Sequence, residues 1–338
     1  MSQKLFSGAL SALLAAACTA PDLFIPELPV NETVFTIAVL PDTQVYSQSS
    51  PDIFDSQTDW LAAQRDNLNL AMVVHVGDLV DASWLTEQWD NARASMAILD
   101  DYVPYIIAPG NHDYGRVYEE RNARARSTLL HEYFPRSLFE LMPTFGGFLP
   151  EGERTDNSYH VLEFGDQNWL FMALEFAPRD TTLTWANQIL SAHPDHLAVV
   201  VTHAYLYHDD TRYSWTSRGE RQKWSPYSYG VAALPGGSND GEDIWEQLVS
   251  QHANVVAVLS GHTLADGLGY AVSVGAGEVH EILANYQMND IGGAGYLRLL
   301  QVDTATAEVE VVTYSPWLDH YKTDWANRFW FSYASHLR

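Results

Sequence analysis

The chain has 338 residues, 46% hydrophobic and 12% aromatic, which is enough for a large buried core in one large domain or two average ones. Its 18 Lys and Arg against 43 Asp and Glu give a formal net charge of −25, a field that repels polyanions and argues against nucleic acid as a partner. No apolar run after the N-terminus reaches the roughly 18 residues that a membrane-spanning helix needs.

In chain order, residues 1–18 carry a positive charge at Lys4, an apolar segment from Leu5 to Ala17 and small residues at its end, the layout of a secretory signal. The lone cysteine, Cys18, closes the stretch LAAAC, which resembles a bacterial lipoprotein processing site with Ala15 where leucine is usual. That resemblance implies a lipid anchor at Cys18 as the one membrane contact, on an exported chain that is periplasmic, at the cell surface or secreted. Cleavage there leaves a domain stabilised by packing and bound metal, without internal disulfides. Residues 19–31 hold three prolines and read as a linker, and 32–338 as the working domain.

From Thr33 the sequence alternates short β-branched runs with amphipathic stretches. The runs are TVFTIAVL, AMVVHV, VPYIIA, HLAVVVT and ANVVAVL; helical patterns cover Asp55 to Asn69, Trp84 to Asp100, Thr182 to His193 and Glu242 to His252. This predicts an α/β architecture with buried, largely parallel strands. Later, YAVSVG, VHEILANYQ, GYLRLLQVD and AEVEVVTYS follow one another with no helix between, predicting a second, antiparallel group of strands.

Each of the five buried runs ends in residues that bind metals: PDTQ at 41–44, GDLVD at 77–81, GNHD at 110–113, THAYL at 202–206 and GHTLAD at 261–266. Sites in open α/β sheets form outside the carboxyl ends of strands, so these segments can converge. In an extended segment residues i and i+2 project to one side, which pairs Asp42 with Gln44. Gly77, Gly110 and Gly261 each precede a candidate ligand, where the missing Cβ permits close approach.

The order D-x-Q, G-D, G-N-H-D, H, G-H resembles that of the calcineurin-like metallophosphoesterase superfamily over residues 42–266. The resemblance implies a four-layer α/β/β/α sandwich of two facing mixed sheets, and hydrolysis of a phosphate ester by metal-bound hydroxide at two divalent ions, with Mn, Fe, Zn, Mg and Ca all open. It implies Asp78 as the bridging ligand, with Asn111, His203 and His262 completing the second metal site. It also implies that His112 assists the leaving group, with Asp113 orienting it. The first site departs from the family pattern: Gln44 stands for a histidine, and Leu264 for the last histidine of G-H-x-H. Asp42, Gln44 and Asp78 remain, a harder and more oxygen-rich set. Asp266 is a further candidate there, whereas His75 and Asp81 read as outer supports.

The segment after His203 is basic and aromatic in an otherwise acidic chain. Arg212, Arg218 or Arg221 can clamp a phosphate and Trp215, Trp224, Tyr213 or Tyr227 can wall a substrate; the alternative is a loop that folds back as its own small core, and both can hold together. NYQ at 285–287 can face the same cleft. The lone cysteine lies in the leader, and G-x-S-x-G is absent, which disfavours Cys and Ser nucleophiles. The expected substrate is a small-molecule or glycan-linked phosphate ester, favouring an organic phosphodiester. The alternative is a non-catalytic or mononuclear metal-binding surface lipoprotein that binds a glycan or other ligand.

Overall fold

A computed structural model describes residues 33–337. The signal and linker expected at 1–18 and 19–31, including Cys18, lie outside the described residues. Among the described residues no helix is long and apolar enough to cross a membrane.

The strands are β1 (Val34–Leu40), β2 (Leu70–His75), β3 (Tyr105–Ile107), β4 (Phe145–Phe148), β5 (Ser158–Phe164), β6 (Gln167–Leu174), β7 (His196–Thr202) and β8 (Val255–Ser260). They continue with β9 (Leu268–Val274), β10 (Glu278–Ala284), β11 (Leu297–Asp303), β12 (Glu308–Ser315), β13 (His320–Lys322) and β14 (Arg328–Ser332). They form two seven-stranded sheets, one ordered β13-β12-β11-β1-β2-β3 with β14 on β12, the other β4-β5-β6-β7-β8-β10-β9. Both are mixed: β1, β2 and β3 run parallel, as do β6, β7, β8 and β10, while β11 lies antiparallel to β1 and β9 to β10.

Alternation along the strands builds the layers. Phe35, Ile37 and Val39 of β1 pack with Trp169, Phe171, Val199 and Val201 of the other sheet, making the core between the sheets. Ala38 and Leu40 face the opposite way, onto Phe54, Leu61, Trp89 and Met96 from helices Pro51–Ala63 and Thr86–Ala97. On the second sheet Leu170, Met172, Ala198 and Val200 turn outward to Leu183, Leu190, Ile244 and Leu248 from helices Asp180–Ala192 and Gly241–Gln247 and the turn after them. The arrangement is the expected α/β/β/α sandwich.

The structure modifies one expectation. The late strands do not form a separate group: β9 and β10 extend the second sheet, and β11 to β14 extend the first. Pairing of β10 with β8 is parallel, across a link with no helix, because the antiparallel β9 edge carries the chain back between them.

Candidate metal centre

The centre forms where β1, β2, β3, β7 and β8 end. After β2 the chain turns through Gly77 at φ +106° and Asp78 at φ +52°. A left-handed, non-glycine ligand costs on the order of 1 kcal/mol and persists only where its surroundings hold it. Here His75 holds it: the Gly77 N–H donates to His75 Nδ1 (3.1 Å), so the other ring nitrogen donates to Thr43 Oγ1 (3.0 Å). Burial, reinforced by His203, pulls His75 down to about 3, so the ring is a neutral brace between two strand ends.

Two glycines permit the close packing. A Cβ on Gly110 would stand 2.2 Å from Asp78 Oδ1, and one on Gly261 2.2 Å from Asp42 Oδ1. Any side chain at either position displaces a carboxylate of the centre.

Asp78, His203 and His262 are buried and each offers one ligand atom, all within 4.8 Å of one another. Asp78 Oδ2 lies 3.2 Å from His203 Nε2, and its Oδ1 accepts the His112 backbone N–H at 2.8 Å. His203 Nδ1 donates to the Val76 carbonyl and His262 Nε2 to the Trp224 carbonyl, both at 2.8 Å. Carbonyls only accept, so His203 Nε2 and His262 Nδ1 keep the free lone pairs, the tautomers that metal ligation needs. His262 is itself left-handed (φ +71°), as is Trp224 (φ +59°).

Gln44 Oε1 and Asn111 Oδ1 are buried without a protein hydrogen-bond partner, while His203 Nε2 faces the Asp78 carboxylate. Such orphans are rare in folded proteins, and two unpartnered oxygens on the same strand-end segments as a carboxylate–imidazole cluster fit divalent cations. The charges agree. Burial pushes the Asp42 carboxyl up to about 8, against the pull of His203. Burial opposes ionisation of Asp78 too, but His203 and His112 hold it well below the usual carboxylate range. His203 rises to about 9 despite burial because Asp78 and Asp42 face it, and His262 falls to about 3 through burial and its neighbour His203. Protons here carry a positive charge that divalent cations would supply.

The two halves differ in support. Asp42 accepts the His262 N–H (3.2 and 3.3 Å) and Asn285 Nδ2 (2.9 Å), so NYQ does reach the centre. Gln44 does not sit on an extended strand with Asp42: β1 stops at Leu40 and Gln44 opens the helix Gln44–Ser49, so the i, i+2 argument fails although both residues are buried. Leu264 is half-buried and brings no donor; Asp266 is exposed and accepts its own loop's Leu268 N–H at 3.5 Å.

His112 donates through Nδ1 to the Asp81 carbonyl (2.7 Å), with the Asp81 carboxylate 3.6 Å away. Burial lowers its basicity, but Asp78 and Asp81 raise it further, leaving the ring above its ordinary value. Asp113 is corrected: its oxygens accept the Gly110 and Val80 N–H groups (2.8 and 3.1 Å), so it ties two loops together and Asp81 orients the ring.

The expected substrate clamps also change. Arg212 is held by Glu242 (2.9 Å), Glu281 (2.7 Å) and Ser273 (2.8 Å) and lies over Trp245, so it fastens the aromatic segment to the second sheet and is not free for phosphate. Arg218 is half-buried, 3.6 Å from Asp209, and Arg221 caps backbone carbonyls of Ser217 and Arg218. Trp215 is exposed, near Tyr227, with its backbone N–H donating to Asp240. The segment reaches the centre through the Trp224 carbonyl and through Tyr213 and Tyr229, whose rings flank His262 at 5.8 and 6.0 Å. Phe176, just after β6, packs on His203 (6.0 Å) and His262 (5.7 Å). Sequence reasoning passed over it because the β6 run was not among the five runs singled out, and the carboxylate that follows it, Glu175, is held by arginines away from the centre.

In sequence, the chain is 33% identical over 327 residues to the uncharacterized protein YvnB of Bacillus subtilis strain 168, an alignment that takes in 92% of this chain and 22% of that protein. The chain therefore spans about a fifth of that relative's length. Over 49 residues, 14% of this chain and 8% of the relative, it is 37% identical to the probable inactive purple acid phosphatase 27 of Arabidopsis thaliana. In structure it resembles the purple acid phosphatase PPD1 from yellow lupin seeds, with a TM-score of 0.52 and 13% identity, over 92% of this chain and 56% of that one. The sequence profile of the calcineurin-like phosphoesterases matches residues 35–266, a span that takes in all five strand-end junctions, and the chain belongs to that family.

Proposed function

We propose that the chain hydrolyses a phosphate ester in a metal-dependent reaction, with an organic phosphodiester as the favoured substrate class. The observation that carries this is the buried donor cluster of Asp78, His203 and His262, bordered by the unpartnered Gln44 Oε1 and Asn111 Oδ1. Asn111, His203 and His262 would hold one divalent ion, Asp42 and Gln44 the other, with Asp78 between them. When bound, such ions supply Lewis acidity and lower the pKa of water.

The remaining work falls to the chain. His112, its Nδ1 proton fixed on Asp81, keeps Nε2 for the departing alcohol oxygen. The aromatic wall of buried Phe176 and Tyr213 and half-buried Tyr229 restricts water at the second half of the centre. The exposed indoles of Trp215 and Trp224 and the net charge of −25 favour an organic ester over a polyanion. Export and a lipid anchor at Cys18 are part of this proposal, and place the substrate outside the cytoplasm.

One observation favours a second reading. The position of Leu264 supplies no donor, so a protein that holds one ion and binds a glycan without turnover is the rival. Manganese-loaded protein assayed with bis-p-nitrophenyl phosphate separates them. The expected result is hydrolysis that chelator abolishes, and that His112→Ala lowers by about 10²–10⁴-fold while metal per chain is unchanged. Full metal loading without release of p-nitrophenol would favour the rival.

A further inference from the structure

The segment from His203 to Gly230 carries five tyrosines, at 205, 207, 213, 227 and 229. Four have their hydroxyls satisfied by protein. Tyr205 donates to Glu281 (3.2 Å), Tyr227 to Asp243 (2.8 Å) and Tyr213 to the Lys223 carbonyl (3.1 Å), while Tyr207 accepts the Lys223 N–H (3.3 Å). Among the described residues the Tyr229 hydroxyl has no partner, although its ring is packed in the wall of the centre. It meets Phe176 edge-on at 5.0 Å and His262 at 6.0 Å. Tyr229 is half-buried, so its hydroxyl is open to a ligand at the centre instead of being sealed in the core.

Tyr229 is also held in place. The next residue, Gly230, lies so close to Arg124 that a Cβ would stand 2.7 Å from its Cα, and the Val231 N–H donates to the Ala123 carbonyl at 2.9 Å. The hydroxyl, like any phenol, is a proton donor at neutral pH. A fixed, unpaired donor beside a cluster suited to cations is complementary to an oxyanion docked on that cluster.

We infer that the Tyr229 hydroxyl donates a hydrogen bond to a non-bridging oxygen of the phosphoryl group, on the side of the centre formed by Asn111, His203 and His262. It is a substrate-contacting residue outside the five strand-end junctions, and no metal-type pattern marks it in the sequence. The inference rests on the phosphoesterase reading, so its test is made on binding as well as turnover.

The test is Tyr229→Phe in the full chain loaded with manganese, titrated with inorganic phosphate by calorimetry and assayed with bis-p-nitrophenyl phosphate. A hydrogen bond to a charged group predicts phosphate affinity and kcat/KM both lower by about tenfold or more. Metal per chain and Tm should be unchanged, since the oxygen removed has no protein partner. Unaltered phosphate affinity in the variant, or no phosphate binding by the wild type, overturns the inference. Loss of a metal ion overturns it too, by making Tyr229 a metal ligand. Weaker phosphate binding by the variant, in a protein whose wild type releases no p-nitrophenol from the ester, sustains Tyr229 as the phosphate contact and sinks the hydrolase reading.

Discussion

The two halves of the centre are built to different standards. In the second half both histidines have an outer partner that sets the tautomer: Val76 and Trp224 carbonyls, each at 2.8 Å. Aromatic rings close around them. In the first half Asp42 is braced by Asn285, but Gln44 comes from the start of a helix with its oxygen unpartnered, and Leu264 gives nothing. Preorganisation by outer partners typically changes metal affinity 10–100-fold. The second half should therefore fill first and hold its ion more tightly.

The largest effect that would break this comparison is at His203. His203→Ala should lower activity by more than about 100-fold and remove the tightly held ion, whereas Gln44→Ala should remove only the weaker one. Elemental analysis of metal per chain reads both, and equal losses would mean that the halves are not distinct. Next come the glycines. Gly110→Ala strikes the shared Asp78 and Gly261→Ala strikes Asp42, each costing roughly 1–3 kcal/mol of overpacking. Calorimetric metal titration should show both binding steps weakened in the first variant and one in the second. The smallest effect expected is that of Gln44→His, which restores a nitrogen donor and should shift the first ion's preference from manganese toward zinc. A competition titration that returns the wild-type order would show that Gln44 is not a ligand.

The sheet strands at the centre were legible because buried parallel strands read as unbroken apolar runs: HLAVVVT at 196–202 coincides with β7. The centre was legible for a related reason, since polar residues capable of ligation stand out at the ends of such runs. The outer supports were legible only where a polar side chain marks them, as at His75 and Asp81. Trp224 acts through a backbone carbonyl, which any residue possesses, and from a left-handed conformation that its side chain does not advertise. The arginines misled because charge pattern records that a cation is present and not whether a carboxylate such as Glu281, far along the chain, already holds it. Strands β4 and β5 escaped because β4 is only four residues, two of them glycine, and β5 mixes buried and half-exposed positions, whereas β6 carries the same unbroken apolar run as β7 and was simply passed over.

The pairing of β1 with β11, Val39 opposite Arg298, bears on how the protein is made. All the proposed metal ligands lie at or before His262, yet the strand carrying the chain into Asp42 has one edge that stays open until residues beyond Leu297 emerge from the ribosome. At about 5–20 residues per second that interval is on the order of tens of seconds, during which the nascent chain displays an unpaired apolar strand. Prematurely terminated products that contain every ligand are thus the sticky species in its biogenesis, and the burden on chaperones falls before the last strands arrive.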